Sequence, residues 1–331
     1  MKAAVFYEHG GPEVLRIEDV AEPVVGPRDV LVAVRATSVN PVDAKCREGK
    51  NRAAFRYRLP WILGLDVSGV VEGVGGQVTR FEVGDEVWST PSHRRPGTYA
   101  ERVAIDEGAL SLKPESISHA HAASLPLVGL TAMQCLLPRL ERGGPQRVFI
   151  QAGSGGVGTV AIQIAKAHGA WVATTSSPRN HPLVTELGAD RPIDYRTEAF
   201  DEVLSDIDIV LDSLGEEARN KAMKILVRGG RLATINADLA KLGGRYGPTL
   251  GLVATGLKLV SFYARTMVRG IEGANVIKRI NSKQLAQLAA MVDAGQVKPV
   301  IDSIRPMTEI VDAHTHLETG RARGKIVLEG W

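Results

Sequence analysis

The sequence predicts an α/β protein in which a doubly wound parallel sheet is joined to a mostly antiparallel β domain. Three observations carry this reading. Residues 147–161 read RVFIQAGSGGVGTVA: an apolar run, a cluster of glycines, then a helical pattern. From Arg147 onward strand-like and helix-like runs alternate, which implies a parallel sheet with right-handed crossovers. Before about residue 120 the chain offers short β-like runs separated by Gly and Pro, such as Gly10-Gly11-Pro12 and Gly26-Pro27.

Taken in order, the first domain contains AAVFY, VLRIEDV, DVLVAVRATSV, DVSGVVEGVG, DEVWST and YAERVAI as strands. Residues 121–140 then carry helical apolar spacing interrupted by Pro126 and Gly129, and here the chain crosses into its second domain. That domain, residues 123–275, alternates RVFIQA, AWVATT, RPIDY, IDIVLDS and RLATIN with helices. Its late apolar segment, residues 250–264, is broken by Gly251, Gly256 and Lys258 and is too short for a membrane span; it reads as a buried or interfacial helix running into a strand. Residues 276–331 return to the first domain, residues 1–122, through the amphipathic helix SKQLAQLAAMVDAG, the strand KPVIDS, a helix over 309–318 and a last strand KIVLEG.

Composition narrows the function. The chain has 331 residues, 44% apolar and 23% charged, with a formal net charge of +3 and no basic arm, so a small molecule is expected as partner rather than nucleic acid. Two cysteines, Cys46 and Cys135, predict a reduced protein without disulfides, and Cys46 reads as part of a polar loop. The opening MKAAVFYEHGG has neither an apolar signal core nor an Arg/Ser-rich leader, and a cytoplasmic location is expected.

Gly153, Gly155 and Gly158 fit the Gly-x-Gly-x-x-Gly spacing of a dinucleotide-binding Rossmann turn: a tight turn, a close backbone approach to pyrophosphate, and close packing of helix on strand. The following helix N-terminus offers N–H groups and partial positive charge to phosphate. About 20 residues on, an acidic residue would hold the ribose of NAD. The chain instead reads Thr174, Thr175, Ser176, Ser177 and then Arg179, groups suited to a 2′-phosphate, so NADP(H) is favoured. A Ser/Thr turn with a solvated arginine is the plainer alternative. A nucleophile elbow at Ser154 with His314 or His316 is a competing reading, but it leaves the third glycine and the hydroxyl/arginine pair without purpose. His119/His121 and His314/His316 sit two apart, which points them away from each other on a helix; they read as solvated surface residues, and no metal site is expected.

Taken together the motifs resemble the zinc-free quinone oxidoreductase (zeta-crystallin-like) branch of the medium-chain dehydrogenase/reductase superfamily, and within it the reticulon-interacting mitochondrial oxidoreductase group. The residues that carry the resemblance include Ser38-Val39-Asn40-Pro41-Val42-Asp43, Gly64-Leu65-Asp66-Val67-Ser68-Gly69, Gly97-Thr98-Tyr99-Ala100-Glu101, Ser154-Gly155-Gly156-Val157-Gly158 and Gly320-Arg321-Ala322-Arg323-Gly324-Lys325. The resemblance implies a GroES-like fold for the antiparallel domain. It places a cysteine ligand of zinc-containing relatives where this chain has Asn40, and Gly-His-Glu where it has Gly64-Leu65-Asp66. It also implies cofactor contacts from Thr131, from Ser154, Gly155, Gly156 and Val157 at the pyrophosphate, and from Ser176, Ser177, Arg179 and Tyr195 at the 2′-phosphate. Ser213, Ile235, Asn236, Arg321, Ala322 and Arg323 would line the ribose and nicotinamide channel, with Asn40 and Asp43 near the nicotinamide.

These expectations describe an NADPH-dependent, zinc-independent enzyme passing hydride to a quinone or α,β-unsaturated carbonyl. Asn40 would hydrogen-bond the developing oxyanion, with Asp43 and Tyr57 as further catalytic candidates. Asn-Pro-x-Asp is equally a good turn and cap sequence, and Asp43 then serves only to cap a helix. The substrate pocket would be lined by residues near Asn40, Tyr57, Leu127 and a loop at 239–246. An enoyl-thioester reductase and a non-catalytic NADPH-binding protein are the alternatives. A homodimer, paired edge to edge through a strand at 258–263, is the expected assembly.

Overall fold

The computed structural model describes residues 1–52, 57–236 and 238–331. The chain divides into two compact units, one built from residues 1–130, 279–295 and 299–331 and the other from 131–278 and 296–298.

The first unit opens with β1 (Lys2–Phe6), β2 (Arg16–Asp19), β3 (Asp29–Val39), α1 (Pro41–Arg47), β4 (Trp61–Ile62), β5 (Val67–Val74), β6 (Glu86–Ser89), β7 (Arg102–Asp106), β8 (Leu110–Leu112) and α2 (His119–Ala123). α3 (Pro126–Leu140) follows, started by a proline whose missing N–H costs nothing in a first turn. The second unit then runs β9 (Arg147–Ile150), α4 (Gly156–Ala167), β10 (Trp171–Ser176), α5 (His181–Glu186), β11 (Arg191–Asp194), α6 (Phe200–Val203), β12 (Ile207–Asp212), α7 (Glu216–Ile225), β13 (Leu226–Thr234), α8 (Leu239–Tyr246), α9 (Pro248–Val268) and β14 (Glu272–Asn275). The return segment supplies α10 (Ser282–Asp293), β15 (Ile301–Pro306), α11 (Ile310–Glu318) and β16 (Lys325–Glu329).

The first unit's larger sheet has the order β15-β16-β3-β5-β6-β8, with β7 also on β3, and its pairs are antiparallel except β15 with β16. β3 is central because its apolar positions are buried along nearly its whole length: Val30 and Val32 join Val67, Val71, Val87 and Ile105 in one core cluster. Val39, at its far end, joins Phe6, Tyr99, Ile310 and Ile326 in another. The second unit's sheet has the order β11-β10-β9-β12-β13-β14 and is parallel throughout. From β9 the chain builds outward first through β10 and then through β12, so the strand order reverses beside the glycine turn. Phe149, Ala173, Ile193, Val210, Leu232 and Phe262 fill the core around it.

Several expectations are corrected. Residues 258–263 are not a strand but lie inside α9, a single 21-residue helix, and the strands at the two edges of the parallel sheet are β11 and β14. The dimer contact drawn through 258–263 therefore has no strand to use. The stretch at 239–246 is helix α8 rather than a loop. Cys46 sits inside α1 and is buried, because the helix turns its thiol into the cluster of Phe6 and Tyr99 while Lys45 stays nearer solvent. Both cysteines are free, and burial pushes each thiol up to about 12.

Candidate active site

In the second unit the C-terminal ends of five parallel strands bring together most of the expected cofactor residues. Ser154, Gly155, Gly156 and Val157 follow β9, Ser176, Ser177 and Arg179 end or follow β10, Tyr195 follows β11, Ser213 follows β12, and Ile235 and Asn236 follow β13. The glycine turn is tied down from β10: Thr175 Oγ1 accepts from the Ala152 N–H at 3.0 Å, and the Gly153 N–H donates to the Thr175 carbonyl at 3.0 Å. A Cβ on Gly153 would stand 2.0 Å from Thr174 Oγ1, and one on Gly158 2.5 Å from the Ala152 carbonyl. Both glycines are therefore required by the protein itself. A Cβ on Gly155 would meet nothing closer than 3.4 Å, so that position leaves room above the backbone. Gly155 caps α4 with no side-chain acceptor, which leaves the first-turn N–H groups available to an anion. An uncapped helix start beneath an open glycine fits a pyrophosphate.

The neighbouring turns are held by side chains that sequence reasoning missed. Buried Asp212 accepts from Thr234 Oγ1 at 2.7 Å and from the Leu214 and Gly215 N–H groups at 3.2 and 3.0 Å. Arg219, also buried, donates to Thr234 Oγ1 and to the Asn236 carbonyl at 3.2 and 3.0 Å. Gln151 Oε1 accepts from the Ser213 N–H at 3.3 Å. These bonds fix the backbone at Ser213, Ile235 and Asn236. Asn180 Nδ2 donates to Ser154 Oγ at 2.9 Å, while Arg179 and Tyr195 are exposed beyond the strand ends. Thr131 lies in α3 and is buried.

The first unit holds a buried polar cluster at the junction of β3 and α1. Asp66 is fully buried; its Oδ2 accepts from Ser38 Oγ at 2.7 Å and Asn40 Nδ2 at 2.8 Å, and its Oδ1 from the Leu127 N–H at 2.7 Å. Lys325, from β16, donates to Asp66 Oδ2 at 3.3 Å, to the Val39 carbonyl at 3.2 Å and to Asn40 Oδ1. All three ammonium hydrogens have acceptors. Asn40 is 1% exposed and spends its second amide hydrogen on the Ser38 carbonyl at 3.3 Å, so no amide hydrogen is left for an oxyanion. Asp43 caps α1, its Oδ2 accepting from the Asn40 N–H at 3.0 Å and from Tyr99 OH at 3.1 Å. Burial, reinforced by the Asp66 charge, pushes the Asp43 carboxyl up to about 7. Burial likewise raises Tyr99 well above the usual phenol.

Tyr57 is half-buried, its ring 5.0 Å from that of Trp61 and its hydroxyl hydrogen-bonded with Cys46. Arg321, Ala322 and Arg323 lie between α11 and β16, where the Arg323 N–H donates to Asp302 Oδ1 at 2.8 Å. The reading of the histidines as solvated holds for exposed His121 and is corrected for the other three. His314 is fully buried against the edge of Tyr99 and takes a bond at Nδ1 from Arg47 at 3.0 Å, because its side of α11 faces the core. Half-buried His119 bonds Ser68 and Glu86, and His316 bonds Asp302 at 2.7 Å. Among the described residues no three His, Cys, Asp or Glu side chains converge on a metal-sized site. The positions where zinc would be sought, Asn40 and Asp66, do not fit it, since the Lys325 ammonium already bonds both.

An antiparallel unit joined to a doubly wound parallel unit with a glycine-turn phosphate cradle places the chain in the medium-chain dehydrogenase/reductase superfamily, and it belongs there as an oxidoreductase. Residues 26–115 match the alcohol dehydrogenase GroES-like domain, and residues 187–328 match the zinc-binding dehydrogenase family. More particularly, it is 34% identical over 354 residues to the NAD(P)H oxidoreductase RTN4IP1, mitochondrial, of Mus musculus, covering 99% of this chain and 89% of that protein. It is also 34% identical over 339 residues to an NADPH-dependent alkenal/one oxidoreductase, chloroplastic, of Arabidopsis thaliana, covering 99% and 79%. The quinone oxidoreductase of Coxiella burnetii superposes with a TM-score of 0.87 at 32% identity, covering 100% of this chain and 99% of that one. The cytoplasmic expectation is overturned by these relatives: the mouse protein and its human, zebrafish and bovine counterparts are mitochondrial.

Proposed function

We propose that the chain is an NADPH-dependent, zinc-independent reductase that delivers hydride to a quinone or an α,β-unsaturated carbonyl. The observation that carries the zinc-independent part is Lys325, whose ammonium bonds Asn40 and Asp66 and supplies a fixed positive charge at the positions where zinc-containing relatives carry their ligands. Without a Lewis acid to polarise an isolated carbonyl, the suitable acceptors are conjugated ones that spread the incoming charge over a π system. Relatives named for quinone and alkenal/one reduction support that class.

The bound nicotinamide supplies the hydride. In this reading the turn from Ser154 to Val157 holds the pyrophosphate, with the uncapped first-turn N–H groups of Gly156 and Val157 as donors, and Ser176, Ser177, Arg179 and Tyr195 hold the 2′-phosphate. Ser213, Ile235 and Asn236 orient the ribose and nicotinamide from turns that Asp212 and Arg219 keep rigid. Asn40 and Asp43 act as positioning residues, since the amide hydrogens of one are committed and the other caps α1. Backbone N–H groups hydrogen-bond the developing oxyanion, and water or a mobile side chain delivers the proton.

The test is NADPH oxidation by the purified protein against separate panels of quinones, enones and enoyl thioesters. Turnover of quinones or enones, unchanged after dialysis against a chelator, is expected. Arg179→Ala should raise the KM for NADPH by about tenfold and leave that for NADH unchanged. Turnover confined to thioesters, loss of activity to the chelator, or a preference for NADH would overturn the respective part.

A further inference from the structure

We propose that α9 is a surface-docking helix that lays its outward face into the headgroup region of an anionic lipid bilayer. In α9, Leu250, Val253, Leu257, Val260, Met267 and Val268 are each 57–84% exposed. Spacings of three, four and seven residues from Leu250 to Met267, and of eighteen, five full turns, from Leu250 to Val268, put them on one side of the helix, opposite Thr255, Phe262 and Thr266, which are buried. The remaining exposed positions from 250 to 268 are Leu252, Gly256, Ser261, Tyr263 and Ala264; none carries a charge. An uninterrupted apolar face along a helix about 30 Å long is not the scattered surface leucine that any protein tolerates.

The choice of occupant rests on charge. Between residues 239 and 280 seven lysines and arginines stand against one carboxylate, Glu272. Within α9 the only charged residues are Lys258 and Arg265, at one border of the apolar face, where Glu216 pairs with them at 2.6 and 3.9 Å. Lys241, Arg245 and Arg269, near its ends, are exposed. An apolar face with basic flanks suits an anionic lipid surface, which takes the side chains and attracts the cations together. A second copy paired about a two-fold axis would instead bring two such basic segments against each other. Among the described residues no helix is long and apolar enough to cross a membrane, and the geometry proposed for α9 is one of lying on the surface.

The experiment is co-sedimentation of the full chain with vesicles of phosphatidylcholine, with and without phosphatidylglycerol, alongside its mass in solution. Binding to the anionic vesicles is expected, weakened by salt and at least tenfold weaker on the neutral ones. Leu257→Glu and Val260→Glu, both on the exposed face, should each weaken vesicle binding by about tenfold while vesicle-free NADPH binding and melting temperature stay as in the parent. Charge reversal at Arg269 should weaken binding to anionic vesicles only. Absence of vesicle binding, equal binding to both compositions, or insensitivity to Leu257→Glu and Val260→Glu would overturn the proposal. So would a stable dimer that the same two variants dissociate, since a second copy would then cover the face.

Discussion

Lys325 is the one buried charge in the strand KIVLE, whose other charge, Glu329, is exposed, and its surroundings explain why it is tolerated at 5% exposure. Three acceptors take its three hydrogens, and one of them, Asp66, lies 259 residues away in sequence. Removing one partner of a buried ion pair leaves the other charge uncompensated. Lys325→Met should therefore lower stability by about 3–5 kcal/mol, and adding Asp66→Asn should restore more than half of it. Urea-unfolding midpoints of the three proteins check this. That separation is why the cluster was hidden in the sequence: Asn40 and Asp43 stand out as Asn-Pro-x-Asp, whereas nothing local in Gly324-Lys325 or Leu65-Asp66 shows that the two meet. His314 was misjudged for the same reason, since its burial depends on Arg47 and Tyr99 from the other end of the chain.

The glycine turn and the strand ends behind it were the most legible elements, because each glycine answers to a local demand that spacing alone expresses. The structure separates those demands. Gly153→Ala puts a methyl against Thr174 and should cost about 1–3 kcal/mol of stability, whereas Gly155→Ala meets no crowding and should leave the urea midpoint nearly unchanged. Both should weaken NADPH binding in a fluorescence titration, Gly155→Ala through the room its methyl takes above the backbone. Helix α9 was the least legible element. Apolar residues on both its inner and outer sides blur the helical period, so residues 258–263 read as an edge strand; only the complete helix shows which side is bare.

At the scale of the whole molecule, acid stability is a balance between opposed titrations. Burial, followed by the nearby Arg47 charge, holds His314 down to about 3, so the unfolded chain binds a proton that the native one refuses, and stability rises with pH between about 3 and 6.5. Asp43 works the other way. Its carboxyl is held up to about 7, so the native protein keeps a proton that the unfolded chain has released, and stability falls as pH rises from about 4 to about 7. The slopes, about 1.4 kcal/mol per pH unit each, nearly cancel between about pH 4 and 6.5. Asp43→Asn should expose a rise in stability with pH over that window and His314→Gln a fall, both readable from denaturant midpoints at pH 5 and pH 6.3. The order of the chain adds a consequence for biosynthesis. β3 pairs with β16, so residues 29–39 leave the ribosome some 290 residues before the strand that covers their edge and the lysine that neutralises Asp66. Residues 131–278 emerge during that wait, so the parallel unit has its whole sheet in hand while the antiparallel one still has an open flank. Nascent chains stalled before Lys325 are thus the form of this protein most exposed to wrong pairing and in greatest need of a chaperone.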